Sequence, residues 1–436
     1  MLKQITSTLL IIAVTALNNI KAQEDFKPSG NLWGLVFGDY AYKTHNDTLQ
    51  RGGGNVQYRG TGCLNSNNTT TNTAAPANVQ SNAFQLRRVY LGYDYQFSKK
   101  LSSTVVLANE QNYDASGKNT MYLKFANVKW SNIFRNSDLV IGQFMTCTYA
   151  TPYNTEQLMT YRPIERTVMD MHAMDNASDL GISLQGKVWI QKNAKDSLKP
   201  NFVGYYLQVG NANSAIPETD IFKRFRGNVY TSLLNQKLTF GLNGDYMVTQ
   251  LSPYHTSNIT LKAYAVFKNE WIIIGGEAFA QINKNSDIYK VSTNGIIAGT
   301  TINDTANGIQ MGWSVFTSGR VIKNKLNAFV RLDMYNPDLN WNKNNVYTKS
   351  ATAVYDATTK AFIPNQTFYK QTFITAGIDY TPFSRLHIMP NIWYSGYKTM
   401  MTTTGPDGTG TPLSSRVKAD YDLVYRLTFF FTFGGK

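Results

Sequence analysis

The alternation of long and short connections between segments of period-two hydrophobicity constrains this chain more than any other feature. Leu180, Ile182, Leu184, Val188 and Ile190 share one face of residues 178–190, with Ser183, Gln185 and Lys187 on the other. Leu326, Ala328, Val330, Leu332 and Met334 alternate with Asn327, Arg331 and Asp333. Tyr421, Leu423, Tyr425, Leu427, Phe429, Phe431 and Phe433 alternate with Asp422, Arg426 and Thr428. Such alternation over about 8–12 residues defines a strand with one apolar and one polar face. The chain reads as about sixteen strands, near 31–42, 83–97, 101–111, 120–130, 138–145, 178–190, 201–210, 223–234, 238–249, 259–268, 271–281, 308–318, 326–335, 370–380, 386–395 and 420–433.

The short connections are 98–100, 131–137, 191–200, 235–237, 269–270, 319–325 and 381–385, and all follow even-numbered strands. The longer ones, 43–82, 112–119, 146–177, 211–222, 250–258, 282–307, 336–369 and 396–419, follow odd-numbered strands. A soluble all-β sandwich has no reason to sort its loops this way and would turn its apolar faces inward. A transmembrane antiparallel β-barrel does sort them, with tight periplasmic turns at one end and long outer loops at the other. Closure also removes the unpaired strand edges that lipid cannot satisfy. The expected fold is therefore all-β, a closed barrel with its apolar face toward lipid and its polar face toward a lumen.

Composition agrees with a barrel and excludes other classes. Charged residues make up 16% and aromatics 13% of the 436 residues, the reverse of a disordered chain. A membrane helix needs about 20 consecutive apolar residues, and the longest candidate, 9–17, is about half that. Lys3, the apolar stretch from Ile5 to Leu17 and Ala22 before Gln23 read as a secretory signal peptide over 1–22. The remaining 23–436 form one barrel domain, expected in the bacterial outer membrane. Removing 1–22 takes away Lys3 and Lys21 and no acid, which lowers the formal charge from +14 to +12.

Ile141-Gly142-Gln143-Phe144, Thr151-Pro152-Tyr153, Tyr161-Arg162-Pro163-Ile164-Glu165-Arg166 and Asp179-Leu180-Gly181-Ile182 with Gly186 carry a resemblance. So do Val36-Phe37-Gly38-Asp39-Tyr40 and the aromatic last strand. Together they resemble the phosphate- and pyrophosphate-selective porins of Gram-negative bacteria, the porin O and P family. The resemblance implies a sixteen-stranded homotrimeric channel whose third outer loop folds into the barrel. The chain departs from that family in lacking a dense Lys/Arg ladder.

Alternation points Arg88, Lys124, Lys187, Arg224, Arg226, Lys262, Lys268, Arg331 and Arg426 into the lumen, against Asp94, Glu110, Asp245, Glu277, Asp333, Asp379 and Asp422. Rings of cations favour anion passage, whereas opposed charges set a transverse field. Arg224 and Arg226 flank lipid-facing Phe225 and are the strand-borne candidates for contact with a permeant, because guanidinium grips phosphate or carboxylate in bidentate fashion. The competing role is to pair with lumen carboxylates and hold the wall. The 146–177 connection mixes Glu156, Arg162, Glu165, Arg166, Asp170, His172 and Asp175 with apolar residues, a composition suited to packing on the inner wall and narrowing the pore. The candidate constriction and permeant-contact set is therefore Arg162, Glu165, Arg166, Arg224, Arg226, Lys187, Lys262 and Arg331. Inward aromatics Tyr230, Tyr264, Phe329, Tyr335 and Trp393 would instead suit stacking on saccharides.

Cys63 and Cys147 fall at one barrel end, where they either form a loop-to-loop disulfide or remain two thiols. Neither the cysteines nor the four histidines show metal or catalytic-triad spacing. The expected function is passive diffusion of small hydrophilic solutes with a mild anion preference, without catalysis or cofactor. The expected partners are outer-membrane lipid, lipopolysaccharide and further copies of the chain, and no basic stripe suggests nucleic acid. Two alternatives stay open, a nonselective or saccharide pore and a non-conducting adhesion or scaffold barrel built on 43–82, 336–369 and 396–419.

Overall fold

The computed structural model describes residues 26–47, 81–110, 118–150, 167–190, 201–251, 255–291, 302–340, 354–356, 361–363, 369–399 and 419–435. The first half of the barrel is built from β1 (Ser29–His45), β2 (Ser81–Gln96), β3 (Leu101–Asn109), β4 (Tyr122–Phe134), β5 (Ser137–Met145), β6 (Ser178–Trp189), β7 (Phe202–Gly210) and β8 (Arg224–Leu233). It continues through β9 (Leu238–Gln250), β10 (Thr256–Lys268), β11 (Ile272–Val291), β12 (Ile302–Ile322) and β13 (Leu326–Asn336). A small hairpin, β14 (Val354–Asp356) and β15 (Ala361–Ile363), precedes β16 (Tyr369–Phe383), β17 (Leu386–Thr399) and β18 (Ala419–Gly434). Apart from that hairpin, each strand pairs antiparallel with its neighbours, and β1 pairs with β18 to close the barrel at Phe37 opposite Phe430.

The two faces are inverted relative to a soluble protein. Outward Phe225, Val229, Leu242 and Leu261 are 53%, 56%, 66% and 59% exposed, while their inward neighbours Arg226, Asn243 and Lys262 are buried. Apolar surface left in water costs about 25 cal/mol per Å², so this belt belongs in lipid. Among the described residues no helix is long and apolar enough to cross a membrane.

Two departures from strict alternation have local causes. A bulge lets Phe37 face Arg88 and Gly38 face Leu86, skipping Arg87. Both arginines therefore turn inward, whereas alternation counted from Arg88 leaves Arg87 on the lipid side. Strands β11 and β12 also run past the expected 271–281 and 308–318, pairing from Asp287–Ala306 to Val291–Ile302 beyond a break after Asn283. Lys284, Asn285 and Ser286 end the lipid-facing pattern there, but backbone pairing needs no apolar face in water.

Candidate functional site

The connection between β5 and β6 is anchored inside the barrel by both of its described ends. Thr146 donates its amide to Ala177 O (3.1 Å) and its hydroxyl to Asn176 O (2.7 Å), which clamps the two ends together. Short helices at Cys147–Ala150 and Val168–Met171 follow and precede this clamp. Thr167 caps the second, its hydroxyl accepting from the Asp170 amide.

Asp175 is the centre of the anchor. Its carboxylate accepts a fork from Arg226, Nη2 at 2.8 Å and Nε at 3.0 Å, and a hydroxyl proton from Thr148 at 2.6 Å. Arg224 Nη1 lies 3.0 Å away, and Arg226 Nη1 continues to Asp179 at 2.7 Å. Burial raises the Asp175 pKa, but the two guanidinium groups outweigh it and hold the carboxyl at about 2. Arg224 also donates to Asp245 and to Met174 O. Lys262 donates to Thr148 O at 2.7 Å, and Gln281 to Met174 O at 3.2 Å. Arg331 pairs with Asp333 and reaches Met171 Sδ at 3.9 Å.

Farther along, His172 stacks on Tyr335 with ring centroids 3.4 Å apart and planes within 11°. Burial lowers the imidazole pKa to about 3 against a small opposing contribution from Gln371, so the ring is neutral at ordinary pH. On the opposite wall Glu110 accepts from Tyr90, Tyr122 and Lys124, the last two at 2.6 Å. Burial raises the Glu110 pKa, and Lys124 and Arg88 drive it far below the ordinary carboxylate range. Arg88 lies 4.0 Å from both Glu110 and Asp170. Between this wall and residues 170–178 lies a cavity of about 220 Å³.

The expected site residues divide accordingly. Arg162, Glu165 and Arg166 lie outside the described residues. Arg226, with 0% side-chain exposure, and Arg224, with 8%, sit behind the anchored connection and hold it, which is the wall-holding one of the two roles left open by the sequence. Lys262 and Arg331 side chains are likewise 0% exposed, so they too belong to the wall. Lys187 is exposed near the short-turn end, over the Phe202 ring at 4.8 Å. Tyr230, Tyr264, Phe329, Tyr335 and Trp393 are all buried among other inward side chains and present no open face for a sugar. Cys147 is a buried free thiol, pushed up to about 12 by its burial, and Cys63 lies outside the described residues. Asp179 is the anchor residue that sequence reasoning did not assign to the site. Arg87 escaped through the bulge, and its guanidinium lies 4.5 Å over Trp393 and 3.8 Å from Asp39. Among the described residues no group of His, Cys, Asp and Glu is arranged to hold a metal.

No protein-family model and no curated protein matches the chain. Solved structures do. An anion-selective porin from Comamonas acidovorans superposes with a TM-score of 0.52 at 11% identity, over 93% of this chain and 100% of that one. The outer membrane channel DcaP of Acinetobacter baumannii gives 0.52 at 10% identity, over 95% and 99%. At this identity the shared property is the fold, a closed barrel of the outer-membrane porin type.

Proposed function

We propose that the protein is a passive channel for small hydrophilic solutes in the outer membrane of a Gram-negative bacterium, narrowed by the 146–177 connection. The observation that carries this reading is the attachment of that connection to inward-facing side chains on β8, β10, β11 and β13, through Arg224, Arg226, Lys262, Gln281 and Arg331. A segment fixed across the inner wall by buried ion pairs divides the cross-section of a barrel and sets its narrowest point. The lipid-facing belt supports the membrane setting, and the porin-type fold supports conduction. Export after loss of 1–22 and assembly as a trimer rest on the leader pattern and the family resemblance.

Selectivity in this reading is slight. Most of the described inward cations are matched by a carboxylate, as Arg426 is by Asp39 and Lys43 by Asp422, so a phosphate-specific ladder has little to work with. A mild anion preference then comes from cations near the mouth, Lys187 among them. Purified protein in a planar bilayer tests the proposal. Discrete conductance steps that enlarge on deletion of 155–172 support it. Steps of unchanged size would sink the constriction, and absence of steps would sink the channel in favour of a scaffold.

A further inference from the structure

We propose that the cavity between β2–β4 and residues 170–178 recognises small zwitterions, with a carboxylate toward Arg88 and Lys124 and an ammonium toward Asp170. The inference rests on the channel reading and names its preferred solute class. At about 220 Å³ the cavity is smaller than the roughly 300–1,000 Å³ of drug-sized sites, so it suits a solute of a few heavy atoms. Its lining is polar, with the Tyr90 and Tyr122 hydroxyls beside the charges.

The charges are split by element. Lys124, Tyr90 and Tyr122 already crowd the Glu110 carboxylate, so the wall cluster of Arg88, Lys124 and Glu110 carries one net positive charge. Asp170 faces it from the connection, and so does Asp175, whose charge Arg224 and Arg226 already match. The Arg88–Asp170 pair differs from the anchoring pairs. Arg226–Asp175 has 0% exposure on both sides and a 2.8 Å contact. Arg88 and Asp170 are 17% and 25% exposed, with their nearest atoms 4.0 Å apart. Partly solvated pairs at the limit of contact contribute about 0–1 kcal/mol, so a solute can part this one at little cost. A zwitterion restores both halves with charge-assisted hydrogen bonds. A simple anion leaves Asp170 facing it, a simple cation leaves Arg88, and a neutral solute gains neither contact.

Liposome swelling with alanine and lactamide tests the proposal, because these isomers have the same atoms and differ in charge separation. Alanine should enter the wild-type vesicles about threefold faster than lactamide, the size expected of one partly exposed charge contact. Arg88→Gln and Asp170→Asn should each bring the ratio of the two rates toward one. If one substitution prevents insertion, seen as loss of lactamide entry, the other carries the test. A wild-type ratio of one or less, or a ratio that neither substitution moves, overturns the zwitterion site and leaves the channel standing. Entry of neither isomer, together with no KCl conductance, overturns the channel reading itself.

Discussion

Asp175 concentrates the mechanical consequences of the site in one carboxylate. It is fully buried and shared between Arg224 and Arg226. Removing one partner of a buried pair costs about 3–5 kcal/mol, mainly by leaving charge uncompensated. Asp175→Ala should therefore loosen the connection while the barrel stays closed. The readout is open-channel noise in a bilayer, and a trace as quiet as wild type would contradict the anchoring role. Its pKa is depressed from 3.8 to about 2, so this contribution is present above pH 3.8 and disappears as pH falls through about 2. Gly142 makes a different demand. Its φ of +116° suits glycine, and a Cβ there would sit 2.4 Å from Ala126 O. Gly142→Ala should destabilise the barrel by about 1–3 kcal/mol, measurable as a lower unfolding temperature in detergent. The inward pointing of Arg224 and Arg226 was legible in the sequence, because they flank an outward Phe225. Their partner was not, since nothing in the sequence spacing of Asp175 and Arg226 signals that they meet.

At the scale of elements, the His172 turn makes the connection sensitive to acid. Tyr335 stacks on its ring, Tyr369 lies at 6.5 Å, and Nε2 is buried with no hydrogen-bond partner among the described residues. A pKa lowered from 6.5 to about 3 means that the detached turn binds the extra proton between those values. The packed turn is thus favoured above pH 6.5 and progressively less so as pH falls toward 3. Channel noise should rise over that window in wild type, and His172→Phe should flatten the response. A wild-type channel equally quiet at pH 7 and pH 4 would refute the link. Strand positions were readable because lipid on one side and water on the other impose period two. The excess length of β11 and β12 was not, because pairing above the membrane leaves no such imprint. The bulge at Arg87 was hidden for a related reason, as it turns two successive arginines inward where alternation allows one.

For the whole molecule, the excess positive charge of residues 23–436, formally +12, is unevenly placed. Most of the described lumen charges are paired, but the short turns are not balanced. Lys99, Lys100, Arg135, Lys237, Lys323, Lys325 and Arg385 are exposed at the short-turn end, and among the described turn residues Glu270 alone is acidic. A ring of one sign around one mouth concentrates counter-ions there, so this mouth should enrich anions while the paired interior stays nearly neutral. Selectivity would then come from the rim, and salt should screen it. The Debye length is about 10 Å at 0.1 M and about 3 Å at 1 M. The reversal potential in a KCl gradient should therefore move toward the chloride value at low salt and lose most of that shift near 1 M. Replacing Lys99, Lys100, Lys323 and Lys325 with Gln should reduce the low-salt shift. A shift that survives both high salt and these replacements would place the selecting charges inside the lumen, where screening is weaker, and would shift the origin of the preference from the rim to inward cations such as Arg88 and Lys124.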